Sequence, residues 1–147
     1  MKNLMLAMSL LCVSTLAYSQ KKKEKDEKKE NVEVPAVVEK AFQKAYPNTK
    51  AEWEDEGGKL EGSFKYKGQE MSVVYNAQGT LEEKEVEIKA NQLPATVSAY
   101  ITKNKLGKIK EAAKITKANG TVNYEAEVYG GDALFDAKGN FIKLQKD

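Results

Sequence analysis

Alternation of apolar and polar residues limits the possible fold of this chain more than any other feature. It occurs in four segments, the third of them weaker than the others: 59–66, 70–75, 109–115 and 122–129. Tyr124 and Ala126, for example, stand on either side of Glu125. Successive side chains of a strand point to opposite faces, so the alternation predicts antiparallel strands with one face on a core and one in water. Phe64 and Tyr124 are predicted to be core residues.

A helical pattern precedes each group of strands, and the whole arrangement occurs twice. Pro35 and Pro94 suit the first turn of a helix, where the missing N–H is not needed. The segment YNAQG at 75–79 is answered by FDAKG, 60 residues later. We therefore predict an α+β fold of two tandem helix-plus-antiparallel-meander repeats, with the helices packed on one face of the sheet. The repeats are predicted at about 34–89 and 93–147.

The first nineteen residues have the pattern of a secretory signal peptide. A basic start is followed by an apolar stretch over residues 4–16, and then by small residues at Ala17 and Ser19. We predict a signal peptide over 1–19 that is cleaved after Ser19, and a periplasmic or secreted product. No later apolar run is long enough to span a bilayer, so stable membrane insertion after cleavage is not expected.

A charged tether is predicted between the signal peptide and the folded domain. Residues 21–30 read KKKEKDEKKE and contain nothing that a core could bury. The tether is assigned to 20–31, and a single domain is assigned to 32–147.

The absence of histidine and cysteine from the predicted mature chain excludes most kinds of catalytic and metal site. The chain has no histidine, and its only cysteine, Cys12, lies in the predicted signal peptide. The usual general base, the usual zinc ligand and the Ser-His and Cys-His nucleophile pairs are therefore absent. We expect no enzymatic activity, no metal and no cofactor. All 24 basic residues are lysine and the net charge is only +2, so nucleic acid is not an expected partner either.

The order of these features resembles a known family. A signal peptide, a helix, aromatic strands and an aromatic-x-Ala-x-Gly turn, with the last three present twice, resemble the PepSY-like exported bacterial proteins. That group is similar to the β-lactamase-inhibitor-protein fold. The motifs that carry the resemblance are Val34-Pro35, Tyr46-Pro47, Trp53, the two Ala-x-Gly turns and Leu93-Pro94. The resemblance implies a peptidase-inhibitory or protein-binding module. The chain lacks the inhibitor's disulfides, so the inhibitor's binding loops do not carry over.

The acidic residues are possible metal ligands or catalytic groups. Glu83, Glu85 and Glu87 recur along one predicted strand and alternate with other residues, which is typical of a solvated sheet face. Asp136 and Asn140 lie beside Gly139 in an arrangement that could suit calcium. A hairpin turn explains both copies of this segment, so we predict a turn.

Four residues are the candidate binding residues. Tyr129 and Phe141 are aromatic residues outside the apolar pattern, and Glu125 and Glu127 belong to the outward charged face. We predict a non-enzymatic exported protein-binding module, one form of which would inhibit a peptidase or another envelope enzyme. The sequence does not identify the protein partner. It leaves open the alternative of a periplasmic protein that binds a small ligand or an ion.

Overall fold

The computed structural model describes residues 32–146, and Val32–Asp147 form a compact unit of their own. The predicted signal peptide at 1–19 and the predicted tether at 20–31 lie outside the described residues. The helices are α1 (Ala36–Ala45), a short 3₁₀ helix (Ala90–Gln92) and α2 (Ala95–Lys103). The strands are β1 (Glu52–Asp55), β2 (Lys59–Tyr66), β3 (Gln69–Asn76), β4 (Leu81–Ile88), β5 (Ala112–Lys117), β6 (Val122–Val128), β7 (Gly131–Asp136) and β8 (Phe141–Gln145).

The strands form one antiparallel sheet in which each strand pairs with the next along the chain. The pairing continues through the middle of the chain, where Glu85 of β4 lies opposite Ile115 of β5. The predicted fold class of two tandem helix-plus-meander repeats is therefore wrong. The described residues form a single eight-stranded sheet with 45% of them in strands and only 19% in helices. Separate meanders would leave the backbone N–H and C=O groups on the facing edges of β4 and β5 unpaired, and one continuous sheet satisfies them.

Helix α1 begins directly after Pro35, which has a φ of −57°. The carbonyl of Pro35 accepts the N–H groups of Val38 and Glu39. Val38 and Phe42 are the buried residues of the helix, four positions apart on one side of it. Phe42 meets Phe64 edge to face, with 4.9 Å between ring centroids. The predicted core position of Phe64 is confirmed, because its side chain is 6% exposed in this first core cluster.

Helix α2 packs on the second half of the sheet in a similar way. Val97 and Ile101 are its buried residues, and they share a core cluster with Val128 and Phe135. Tyr124 packs against this cluster and is partly buried. The predicted role of Tyr124 in the core is therefore confirmed.

The strand register places both core clusters on one side of the sheet. Met71 lies opposite Val86, Val86 opposite Lys114, and Lys114 opposite Tyr124. Residues opposite one another in register point to the same face, so Met71 in the α1 cluster and Tyr124 in the α2 cluster share a face. We call this the helix face, and the opposite side, which neither α1 nor α2 covers, the helix-free face.

Within residues 32–146, no helix has the length and hydropathy of a membrane-spanning segment.

Candidate functional site

Acidic side chains collect on the helix-free face because of strand alternation. In β4, Val86 points to the helix face, so its neighbours Glu85 and Glu87 point to the other side. The same alternation puts Glu61 of β2 and Glu125 of β6 on the helix-free face.

Three of these acids are buried. The exposed fraction is 6% for Glu61, 1% for Glu85 and 7% for Glu125. Glu85 occupies the middle position, since β4 lies two strands from β2 on one side and two strands from β6 on the other. We call Glu61, Glu85 and Glu125 the buried acid cluster.

Small or apolar side chains surround Glu85 within the sheet. Its partners in register are Ser72 on β3 and Ile115 on β5, and both are buried. Glu125 lies opposite Ala113, which is 2% exposed. Uncharged residues of β3 and β5 therefore lie between the carboxylate-bearing positions of β2, β4 and β6.

Hydrogen bonding in the cluster is incomplete. Glu61 accepts a hydrogen bond from the hydroxyl of Ser72. Both carboxyl oxygens of Glu85 lack a hydrogen-bond partner among the described residues. Most buried polar atoms in folded proteins have a partner, so a carboxyl group left without one requires an explanation.

Burial also controls the ionisation of the three groups. Burial raises the pKa of Glu61 to about 7, against an opposing effect of the Ser72 hydrogen bond. Burial, together with repulsion from Asp132 and Glu83, raises the pKa of Glu125 to about 7. Burial raises the pKa of Glu85 well above its ordinary value, and the charges of Glu125 and Glu61 raise it further. The cluster therefore retains protons at neutral pH, because neutral carboxyl groups avoid the cost of buried charge.

The predicted binding residues do not all lie together. Glu125 belongs to the buried acid cluster. Glu127 lies on the same face of β6, where its carboxylate forms an ion pair with Lys110 at 2.8 Å. Tyr129 directly follows β6 and is 85% exposed. Phe141 lies on the helix face, where it is 36% exposed and its ring stacks on that of Tyr100 with 4.5 Å between centroids.

Sequence analysis missed the two other members of the cluster as site residues. The interpretation of the β4 acids as a solvated sheet face is wrong for Glu85, which is almost completely buried. Glu61 lies on the polar side of the alternating segment 59–66, which the alternation predicts to face water, and it is buried as well. Alternation identified the correct face for both residues. Only the pairing of β2, β3 and β4 shows that they are removed from water.

The two Ala-x-Gly segments form hairpin turns, in agreement with the prediction. Asp136 Oδ1 accepts the backbone N–H groups of Lys138 and Asn140 at 2.8 and 2.9 Å. Asn76 Oδ1 plays the same part in the first turn, where it accepts the N–H groups of Gln78 and Thr80. Within residues 32–146 no three acidic, histidine or cysteine side chains are grouped so that they could hold a metal ion.

Solved structures with this arrangement come from Bacteroides species. A candidate periplasmic protein from Bacteroides eggerthii has a TM-score of 0.70 and 17% identity, and the match covers 78% of this chain and 90% of that chain. A BLIP-like protein, named for the β-lactamase-inhibitor protein, comes from Bacteroides fragilis; it has a TM-score of 0.58 and 19% identity, over 78% of this chain and 87% of that chain. The fold is BLIP-like.

The chain is also similar to a DUF2874 family protein from Bacteroides uniformis, with a TM-score of 0.62 and 17% identity over 76% of this chain and 88% of that chain. No protein-family model matches the sequence, and no curated protein matches it. At these identities the similarity establishes the fold of residues 32–146 and leaves function to be argued from the site.

Proposed function

We propose that this chain is an exported, non-enzymatic protein-binding module that uses its helix-free face as the binding surface. The observation that carries the proposal is Glu85, a buried carboxyl group without a hydrogen-bond partner on a face that neither described helix covers. An unsatisfied buried polar group costs about 1–3 kcal/mol, so an apolar residue would serve stability better. Costly local features of this kind are typical of functional sites.

Two observations support export of the protein. Residues 1–19 have the signal-peptide pattern, and the similar structure from Bacteroides eggerthii is described as a candidate periplasmic protein. A periplasmic or secreted location is therefore part of the proposal. The relationship to PepSY-like proteins stays a prediction.

The absence of an enzymatic role is proposed from the residue inventory. The chain has no histidine, and residues 20–147 have no cysteine. The carboxyl groups of the buried acid cluster have no base or nucleophile of these types to work with. The BLIP-like fold supports a narrower form of the proposal, in which the bound partner is a peptidase or another envelope enzyme that the module inhibits.

The proposed surface includes two of the predicted binding residues directly. Glu125 and Glu127 lie on the helix-free face, and the exposed Tyr129 lies next to them along the chain. Phe141 lies on the opposite face, so a partner on the helix-free face would not contact it.

Site-specific photo-crosslinking tests the proposal. A photoreactive amino acid replaces Glu87, which is exposed on the helix-free face, and in a matched control it replaces Lys44, which is exposed on α1. Both variants are irradiated in the envelope fraction of the source cells, and crosslinked species are identified by mass spectrometry. We expect one stoichiometric protein adduct from position 87 and none from position 44. An adduct from position 44 alone, or no adduct from a folded position-87 variant, would contradict the proposal.

A further inference from the structure

The lysines around the helix-free face are engaged away from the buried acid cluster. The ion pairs among residues 32–146 include Lys59 with Glu82, Lys65 with Glu70, Lys110 with Glu127 and Lys117 with Glu83. None of these pairs includes a member of the cluster. Among the described residues the three acids thus lie on one face of the sheet with no lysine paired to them, and the middle one has two free acceptor atoms.

We propose that the partner inserts the cationic end of a lysine or arginine side chain among Glu61, Glu85 and Glu125. The inference rests on the protein-binding function proposed above and specifies the chemistry of the partner. Lysine offers three N–H donors and arginine five, so either can satisfy the acceptors of Glu85. Either also supplies the opposite charge that buried carboxylates require.

Other partner chemistries fit the cluster less well. An apolar side chain would seal Glu85 from water and leave both of its oxygens without donors. An anionic group would be repelled by the carboxylates, including Glu83 on the same strand. A cation gains charge-assisted hydrogen bonds to Glu85 and breaks none that the described residues make with it.

Binding should be coupled to proton release. The raised pKa values of the three acids mean that the free domain holds protons in the cluster near neutral pH. The inserted cation favours the ionised carboxylates, so it displaces those protons and binds more tightly as pH rises. The acidic groups that raise the pKa of Glu85 include Glu83 on its own strand and Asp132 on β7. Its register neighbours on β3 and β5, Ser72 and Ile115, carry no charge.

The test uses two small probes of nearly the same shape, one cationic and one neutral. N-acetyl-arginine amide carries the guanidinium group, and N-acetyl-citrulline amide is its neutral isostere. Each is titrated into the full chain without residues 1–19, and the carboxyl carbon of Glu85 is followed by ¹³C NMR at several pH values. With the arginine probe we expect a saturable shift of this signal toward its ionised position. Affinity should rise about tenfold per pH unit for each proton released.

Three variants locate the effect. Glu85→Gln keeps the shape of the side chain, cannot ionise, and should weaken binding of the arginine probe at least about tenfold. Glu39→Gln changes an exposed acid on α1, outside the helix-free face, and should leave binding unchanged. Glu125→Gln is a second variant of the buried acid cluster. It tests the site independently if Glu85→Gln does not fold.

The outcomes separate this inference from the proposed function. Equal shifts with the citrulline probe, or unchanged affinity in Glu85→Gln and Glu125→Gln, would overturn the cation site. A protein adduct from position 87 that persists when Glu85 is replaced by Gln would also overturn it, while protein binding on the helix-free face would stand. Loss of that adduct in a folded Glu85→Gln background would support both.

Discussion

The indole ring of Trp53 lies against Gly62, its partner in register on the neighbouring strand. A Cβ atom at position 62 would lie 2.8 Å from Cζ3 of the indole. The same ring meets Phe42 of α1 at 5.4 Å between centroids, nearly at a right angle. Glycine at position 62 therefore allows the indole to contact both the sheet and the helix.

Replacement of Gly62 by Ala should displace Trp53. Added atoms in a packed region typically cost about 1–3 kcal/mol, and we expect a loss of unfolding free energy in that range. Trp53 is the only tryptophan, so its fluorescence reports both the local change and the unfolding transition in urea. Ser63→Ala, on the opposite face of the same strand, is the control. Equal stability of the two variants would show that the indole can move without loss.

Stability should fall as pH rises through the neutral range. The pKa of Glu61 and that of Glu125 are each raised from 4.5 to about 7 in the folded protein. Between these values the folded state binds more protons than the unfolded state, so the free energy of unfolding decreases with pH. The slope is at most about 1.4 kcal/mol per pH unit for each carboxyl group. Burial raises the pKa of Glu85 as well, which adds to the decrease.

Urea midpoints measured between pH 5 and pH 8 check this expectation. The midpoint should be higher at pH 5, and the double variant Glu61→Gln, Glu125→Gln should show a flatter profile. Hydrogen bonds from Asn140 lower the pKa of Asp136 below 3.8, so that group titrates outside the window. A midpoint that rises from pH 5 to pH 8 would show that the cluster is not buried in solution.

Replacement of Glu85 by Leu should stabilise the domain. The change removes a buried carboxyl group that has no hydrogen-bond partner, and a gain of about 1–3 kcal/mol is expected at pH 8. The gain should be smaller at pH 5, where the carboxyl is protonated. Glu87→Leu, at an exposed position, should change stability little. A large loss of stability in Glu85→Leu would show that the carboxyl has a partner in solution.

Two aromatic residues should respond in opposite ways to truncation. Phe64→Ala removes a ring from the α1 core and should cost about 3–5 kcal/mol. Tyr129→Ala removes a ring that is 85% exposed and should leave the melting temperature nearly unchanged. Thermal unfolding followed by circular dichroism compares the two variants. Similar losses in both would place Tyr129 in a packed environment.

The local elements were largely predictable from the sequence. Pro35 and Pro94 mark the starts of α1 and α2, and alternation identifies the inward side of β2, β3 and β6. Strand β5 begins at Ala112, later than the predicted segment at 109, since its alternation is weak. The turns at Asn76 and Asp136 were predicted from their glycines, and the structure adds the side-chain acceptors of the two turns.

The candidate site was predictable only in part. The sequence predicts an outward, solvated position for both Glu125 and Glu85, and the structure buries both. The difference between Glu85 and Glu87 is not visible along β4, because both occupy the same side of the strand. The difference in burial arises from the residues that surround each side chain in the sheet. Glu85 has buried register neighbours on both adjacent strands, and Glu87 is exposed.

The sequence by itself determined where the helices and most strands lie, which strand face is apolar, and which chemical groups are absent. These properties depend on residues close together in the chain, through the periods of the helix and the strand and through turn geometry. The tertiary structure alone decided that β4 pairs with β5 to make one sheet, and that Glu61, Glu85 and Glu125 are buried together. Pairing and burial join residues distant in sequence, and the free energy of a carboxyl group depends on the surroundings that those contacts create.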